Sequence, residues 1–104
     1  MAFQLTVPYN QPDDVDAFDR HYDETHAPLA TKMPGVRSLI VSRPGSDADG
    51  NRPLYHLVAV VTWDSAEAFQ AAMESAEGQA TVADLANFAG AGVQMLTGPS
   101  RAVV

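Results

Sequence analysis

The strongest constraint on the fold is an apolar run near the middle of the chain, Leu57-Val-Ala-Val-Val61. Strand side chains alternate between two faces, so this run would project apolar groups from both sides of one strand. Such a pattern is typical of an interior strand that is covered on both faces. The chain has 104 residues, which is enough for one core and not for two. The sequence therefore predicts a single domain over residues 1–104.

Three further strands follow from alternating or apolar segments bounded by turn residues. In the first, Pro8 has no N–H to donate, so pairing should fail on one side near its end. The second is an edge strand that ends in a polar, turn-rich loop. The four predicted strands are 3–9, 36–43, 54–63 and 93–97.

The first predicted helix begins at the aspartates that follow Pro12, since acidic groups favour a helix N-terminus. Its apolar residues fall at helical spacing and should face the sheet. Pro28 lacks an N–H for the carbonyl of Glu24, so the helix should kink or break beside His26. The predicted buried stripe is Val15, Phe18, Tyr22, His26 and Leu29.

The second predicted helix opens at a capping box, Asp64-Ser-Ala-Glu67, and buries Phe69, Ala72 and Met73. Gly78 should end it, and residues 81–88 should form a short helical piece before the last strand. The resulting order is βαββαβ, a ferredoxin-like α+β fold with a four-stranded antiparallel sheet. Two helices cover one face of such a sheet, so we expect a second copy of the chain to cover the other, giving a homodimer through the sheet face.

Composition excludes several classes of partner. The net charge of −7 gives no electrostatic reason to bind nucleic acid or anionic lipid. No apolar run is long enough for a membrane span, and the first residues lack the features of a signal peptide, so we expect a cytoplasmic protein. The chain contains no cysteine, so any chemistry must use oxygen and nitrogen groups.

Two segments resemble the EthD family. In the first, Tyr22 stands four residues before His26-Ala-Pro-Leu29, and Pro34-Gly35 follows. The second, Asp84-Leu-Ala-Asn87-Phe88, is similar to the segment that precedes the last strand in that family. With the element order, the likeness covers nearly the whole chain. The family is named for the degradation of ethyl tert-butyl ether.

The resemblance implies a dimeric α/β barrel with a small-molecule pocket between the sheet and helices of each subunit. Proteins of this fold include cofactor-free quinone-forming monooxygenases, muconolactone isomerases and haem-dependent chlorite dismutases. Fold likeness cannot choose among these chemistries.

His26 is the predicted acid/base residue, because an imidazole titrates near neutral pH and here lies on an apolar helix face. Tyr22, on the same face, could donate a hydrogen bond to a ligand. Asp19 or Asp23 could orient the imidazole ring, but a solvated helix edge explains both aspartates better. Alternatively, His26 binds backbone carbonyls freed by Pro28 and Tyr22 belongs to the core.

The pocket wall should come from strand ends and the buried helix stripe. Strand parity sets Tyr55 and His56 on opposite faces, so that His56 points to the subunit interface if Tyr55 faces the helices. The predicted substrate-binding residues are Tyr9, Leu29, Tyr55, Trp63, Phe69 and Phe88.

No cofactor or metal is predicted. His21 and His26 are five residues apart, about 140° around a helix, which does not suit a shared metal ion. The glycines at 90 and 92 lack the strand-then-helix setting of a phosphate loop.

Three functions stay open. The first is a cofactor-independent oxidoreductase, or a lyase or isomerase of the same fold, acting on a small apolar or aromatic metabolite with His26 as acid/base. The second is a non-catalytic dimer that binds such a metabolite. The third is a stable dimeric module whose pocket is packed shut.

Overall fold

The computed structural model describes residues 1–104 and has the predicted βαββαβ order. The strands are β1 (Ala2–Asn10), β2 (Ser38–Ser42), β3 (Tyr55–Trp63) and β4 (Leu96–Ser100). The helices are α1 (Val15–His21), α2 (Ala27–Thr31), α3 (Ala66–Glu74) and α4 (Ala76–Phe88), and a π-helical turn, Tyr22–His26, joins α1 to α2.

The four strands form one antiparallel sheet in the order β2-β3-β1-β4. This confirms the ferredoxin-like α+β fold and the interior position of β3. Alternate side chains of β1 and β3 are buried beneath the helices, among them Leu5, Val7, Leu57, Ala59 and Val61. None of the helices combines the length and the apolar character that a bilayer span requires.

The predicted position of the last strand is wrong by about three residues. β4 pairs with β1 from Ala2 to Thr6, and the ladder stops before Pro8. Beyond that point Val93 forms only an isolated bridge with Tyr9. The missing N–H of Pro8 interrupts regular pairing on this side, as expected, so β4 begins only at Leu96.

The first helical segment does not break at Pro28. In the π-helical turn the N–H of Ala27 bonds to the carbonyl of Tyr22, five residues back, so the chain passes Pro28 without ending the helix. The wider turn also changes which residues face the sheet. Leu29, predicted to be buried, is only half-buried, and Ala30 and Met33 take the buried positions.

The second helical segment is split at Ser75 rather than at Gly78. The Ser75 hydroxyl accepts from the N–H of Gly78 and thereby caps α4, and it also donates to the carbonyl of Ala72. Gly78 lies inside α4, where the helix packs directly on the end of α3. A Cβ at this position would collide with the carbonyl oxygen of Ala72, so the glycine permits a close approach of two helices.

Candidate functional site

An apolar cavity lies between the helix-facing side of the sheet and the helices. Its volume is about 40 Å³, and 13 of its 15 lining residues are hydrophobic. Three of the four methionines in the chain contribute to the wall: Met33, Met73 and Met95. Its aromatic and polar residues are His26 and Tyr22 of the π-helical turn, Tyr9 of β1 and Thr81 of α4.

The imidazole of His26 is held between two partners inside the protein. Only 5% of His26 is exposed. Its Nδ1 lies 3.0 Å from Oδ2 of Asp84 on α4, and its Nε2 lies 3.4 Å from the hydroxyl of Tyr9 on β1. The ring of Phe88 packs against it, with ring centroids 4.7 Å apart. The π-helical turn therefore brings one titratable ring into the wall of an apolar cavity.

Asp84 is a buried carboxylate with three donors. In addition to the hydrogen bond from His26, it accepts one from Nε2 of His21, which lies 3.0 and 2.9 Å from its two oxygens. It accepts a third hydrogen bond from Nδ2 of Asn87 at 2.9 Å. Burial alone would raise the pKa of the Asp84 carboxyl, but the hydrogen bonds from Asn87, His21 and His26 hold this pKa below its ordinary value. Asp84 is therefore ionised at neutral pH although it is only 6% exposed.

The hydrogen bonds assign the tautomer of His26. An ionised Asp84 can only accept, so the Nδ1 atom of His26 carries the proton that it donates. The Nε2 atom then has a lone pair, and the hydroxyl of Tyr9 donates to it. Burial lowers the pKa of His26, and this outweighs the opposing effect of Asp84. His26 is thus a neutral base at neutral pH.

Both cavity tyrosines stay protonated. Burial raises the pKa of Tyr22 to about 12, with a further contribution from the charge of Asp23. Burial also raises the pKa of Tyr9, and the nearby Tyr22 and Asp84 add to this effect. Each phenol can therefore donate a hydrogen bond to a ligand oxygen, and neither serves as a base.

The structure brings together some of the predicted site residues and separates others. His26, Tyr22 and Tyr9 line the cavity, and Phe88 packs behind the imidazole of His26. Trp63 and Phe69 pack against each other, with centroids 5.1 Å apart, and do not line it. Leu29 and Tyr55 also lie outside the lining.

His56 lies on the helix side of the sheet. Strand parity predicted that it would point to the subunit interface if Tyr55 faced the helices, and this condition is not met, because Tyr55 pairs with Asn10 and not with Tyr9. The pairing of β1 with β3 shifts at Tyr9 and Asn10, and His56 is the extra residue of this bulge. Its ring turns toward α1, where its Nε2 lies 2.8 Å from Oδ1 of Asp19.

Sequence reasoning missed the residue that orients His26. Asp19, one of the two candidates, binds His56 and Arg43 instead, and the partner of His26 is Asp84 on another helix. The expectation that His26 ties up free carbonyls is also wrong, since both of its ring nitrogens face side chains. The Asp84-x-x-Asn87 spacing was a usable signal, because residues three apart share a helix face.

His21 and His26 meet at Asp84 despite their separation on the helix. Each directs a ring nitrogen to this one carboxylate. No group of three or more histidine, aspartate or glutamate side chains is arranged to hold a metal ion.

The fold and the site define a class of protein: a small ferredoxin-like α+β protein with a His–Asp pair beside an apolar cavity under its helices. Within this class, the chain belongs to the EthD domain family, whose sequence profile matches residues 10–92. The family assignment from the Tyr22 to Leu29 and Asp84 to Phe88 segments is thereby confirmed.

Individual relatives agree with this assignment. The chain is 43% identical over 95 residues to an uncharacterized 11.0 kDa protein from the thcB-thcC intergenic region of Rhodococcus erythropolis, covering 90% of both chains. A crystal structure of an EthD family protein from Bacillus halodurans is 37% identical, with a TM-score of 0.90, and the match covers 97% of this chain and all of that one. An EthD-like protein from Ralstonia eutropha shares the fold, with a TM-score of 0.73 at 23% identity and coverage of 99% and 93%.

Proposed function

We propose that the protein is a cofactor-independent oxidoreductase in which His26 removes a proton from a small apolar or aromatic metabolite. One observation carries the proposal: a neutral imidazole, fixed by a buried carboxylate, directs a basic nitrogen into the wall of an apolar cavity. An imidazole ordinarily titrates near neutral pH, and burial lowers the pKa of His26, so that the ring is unprotonated and able to accept a proton at neutral pH. Asp84 stabilises the imidazolium that forms, as an orienting aspartate does in other His–Asp pairs.

The chemistry balances with dioxygen as the oxidant. A methylene group beside an aromatic ketone, as in anthrone, loses a proton to Nε2 of His26 and becomes a carbanion. The carbanion passes electrons to dioxygen, and a carbon–oxygen bond forms to give a peroxide anion. The imidazolium of His26 protonates the peroxide. Loss of water breaks the O–O bond and removes the second hydrogen of that carbon, so CH₂ and O₂ become C=O and H₂O.

The two tyrosines suit the oxygen atoms of such a substrate. Both hydroxyls remain protonated, so they can donate hydrogen bonds to the negative charge that develops on the ketone oxygen. The contact between Tyr9 and His26, at 3.4 Å, is long and weak, so a substrate can displace it. We therefore expect Tyr22 to donate a hydrogen bond to the ketone oxygen of the substrate, and Tyr9 to donate a second one once its contact with His26 is displaced.

The size of the cavity adds a condition. A volume of about 40 Å³ suits a diatomic gas such as dioxygen, whereas benzene occupies an engineered cavity of about 150 Å³. An aromatic substrate must therefore displace part of the wall. Met33, Met73 and Met95 can yield, since methionine has three rotatable bonds and adapts its shape.

The fold itself is compatible with this reaction. SnoaB, a cofactor-independent oxygenase from Streptomyces nogalater, has the same fold, with a TM-score of 0.69 at 16% identity. A hydroxynitrile lyase from Passiflora edulis also has this fold, with a TM-score of 0.71 at 9% identity. A lyase or isomerase would use the same base without dioxygen, so the experiment must separate these outcomes.

The test is oxygen uptake with anthrone and 1,4-hydroquinone as probes. We expect saturable turnover with one O₂ consumed per anthraquinone formed, and a loss of about 100-fold or more in His26→Gln. His56→Gln is the matched control, because it removes a histidine–aspartate contact away from the cavity. Equal turnover by His26→Gln and the parent would exclude His26 as the base. A product that forms without oxygen would favour a lyase or isomerase, and saturable binding with no product would favour a carrier.

We also propose that the chain acts as a homodimer through the open face of the sheet. This face carries Thr6 and Val60 with their cross-strand neighbours Ile40 and Leu96, of which Ile40 is 62% and Leu96 55% exposed. A patch of exposed apolar side chains on a sheet commonly marks a protein–protein interface. A dimeric ferredoxin-like protein from Thermobifida fusca has this fold, with a TM-score of 0.69 at 17% identity.

Sedimentation at micromolar concentration tests the dimer. The parent should sediment at twice its chain mass of 11.1 kDa, and Ile40→Lys should shift the protein toward the monomer because it puts a charge in the interface. Val41→Lys is the control, since Val41 is an exposed neighbour on the other face of the same strand. A monomeric parent would refute the proposal.

A further inference from the structure

His21 lies on the opposite side of Asp84 from the cavity. It is the last residue of α1, its side chain is 27% exposed, and it lines a surface groove of about 380 Å³ together with Asn87 and Phe88. Asp84 therefore stands between a histidine in the cavity wall and a histidine that water can reach. The proposed reaction uses the first histidine and leaves the second unexplained.

The geometry at His21 is fixed by two contacts. Its Nε2 lies within hydrogen-bonding distance of both oxygens of Asp84, at 3.0 and 2.9 Å. Its ring stacks on Phe88, with centroids 4.9 Å apart and planes inclined by 20°. Asn87 donates to Oδ1 at 2.9 Å, and His26 donates to Oδ2 at 3.0 Å. The donors thus define the rotation of the carboxylate.

We propose that His21 is a positioning residue for His26: it holds the Asp84 carboxylate so that Oδ2 faces Nδ1 of His26. A carboxylate can rotate about its own axis unless donors fix both oxygens. With Oδ2 in place, Nδ1 of His26 keeps the proton and Nε2 keeps the lone pair. Without His21, only Asn87 would restrain the carboxylate from the groove side. The part of His21 in turnover rests on the proposed function, whereas its effect on the His26 tautomer does not.

The groups that face His26 come from three elements. Tyr9 approaches from β1, Asp84 from α4, and Tyr22 from the same π-helical turn, while His21 acts across the carboxylate. His21 lowers the pKa of His26 by its charge when protonated, a smaller effect than burial and the hydrogen bond and charge of Asp84. Removal of His21 should therefore change the titration of His26 as well as its tautomer.

The test is ¹⁵N NMR of the histidine rings in the full chain. In the parent we expect His26 protonated on Nδ1 and His21 on Nε2 at neutral pH. His21→Phe preserves the stacking on Phe88 and removes the donor, so the Nε2–H tautomer of His26 should rise to a readily measured fraction. His21→Gln supplies an amide donor and should restore the parent spectrum. His56→Phe, which removes the other histidine paired with an aspartate, should leave His26 unchanged.

Two results would overturn the inference. One is an unchanged tautomer and titration of His26 in His21→Phe. The other is a parent spectrum in which His21 carries its proton on Nδ1 and directs a lone pair at Asp84. This second measurement uses only the parent protein, so it does not depend on the folding of a variant. If the anthrone assay gives turnover, His21→Phe should lower kcat at least 10-fold with little change in KM, and His21→Gln should recover it. If no probe turns over, the proposed function fails while the NMR result still decides the role of His21.

Discussion

The Asp84→Asn variant tests the central electrostatic feature of the site. The substitution keeps the shape of the side chain and removes its charge. Asp84 accepts hydrogen bonds from His26, which is buried, from His21, which is half-buried, and from Asn87, which is exposed. An asparagine offers one acceptor oxygen, and its NH₂ group would point at one of the three donors. At least one donor would lose its partner.

The size of the effect follows from these contacts. A hydrogen bond to a charged group contributes about 1.5–3 kcal/mol, and an unsatisfied buried donor costs about 1–3 kcal/mol. Because the remaining oxygen retains part of the bonding, we expect a loss of about 3 kcal/mol in the free energy of unfolding. For a domain of this size, that corresponds to a fall in Tm of roughly 12 to 24 °C.

Urea unfolding followed by tryptophan fluorescence measures this loss. Trp63 is the only tryptophan and is fully buried, so its emission reports on the core. Asp19→Asn is the control, since that carboxylate is 27% exposed and pairs with Arg43 and His56 near the surface. We expect it to cost less than about 1 kcal/mol. A change below about 0.5 kcal/mol in Asp84→Asn would show that the carboxylate is not a buried, ionised acceptor.

Two further predictions concern stability. Because burial lowers the pKa of His26 in the folded state, the unfolded chain takes up this proton first as the pH falls, so stability present above pH 6.5 should be lost below it. Urea unfolding at pH 7.5 and 5.5 should show a larger decrease in the parent than in His26→Gln, and equal decreases would contradict the assignment. Gly78→Ala should destabilise the protein by about 2 kcal/mol or more, because the added methyl group meets the carbonyl of Ala72. Gly45→Ala, in open space, is the control for urea midpoints, and a Gly78→Ala midpoint like that of the parent would refute the close packing.

Local patterns predicted most of the fold because they depend on neighbours in sequence. The apolar run of β3 identified an interior strand, the alternation of β1 identified a strand, and Pro8 marked where pairing on one side of β1 ends. The same local reasoning put His26 on the buried side of its helix, where the structure has it. These features need only periodicity and the hydrogen-bonding capacity of each residue.

The site was harder to predict because its parts are far apart in the chain. Asp84 lies 58 residues from His26, and no periodicity links them. One bulge at the start of β3 put Tyr55 and Leu57 on different faces, although strand alternation predicted that they share one, and it directed His56 toward the helices. One π-helical turn moved Leu29 away from the cavity and brought Ala30 toward it. A single extra residue in a strand or helix changes every orientation beyond it, and the pattern of residue types does not reveal it.

In the π-helical turn, the length of the segment matters more than the identity of its exposed residues. Asp23, Glu24 and Thr25 are exposed, so substitutions there should be tolerated. Deleting any one of them would convert the turn to ordinary helix and rotate His26 by about 100° relative to α1. Among relatives, this stretch should therefore vary freely in composition while gaps within it are avoided, and an alignment that opens one there would mark a protein without this site.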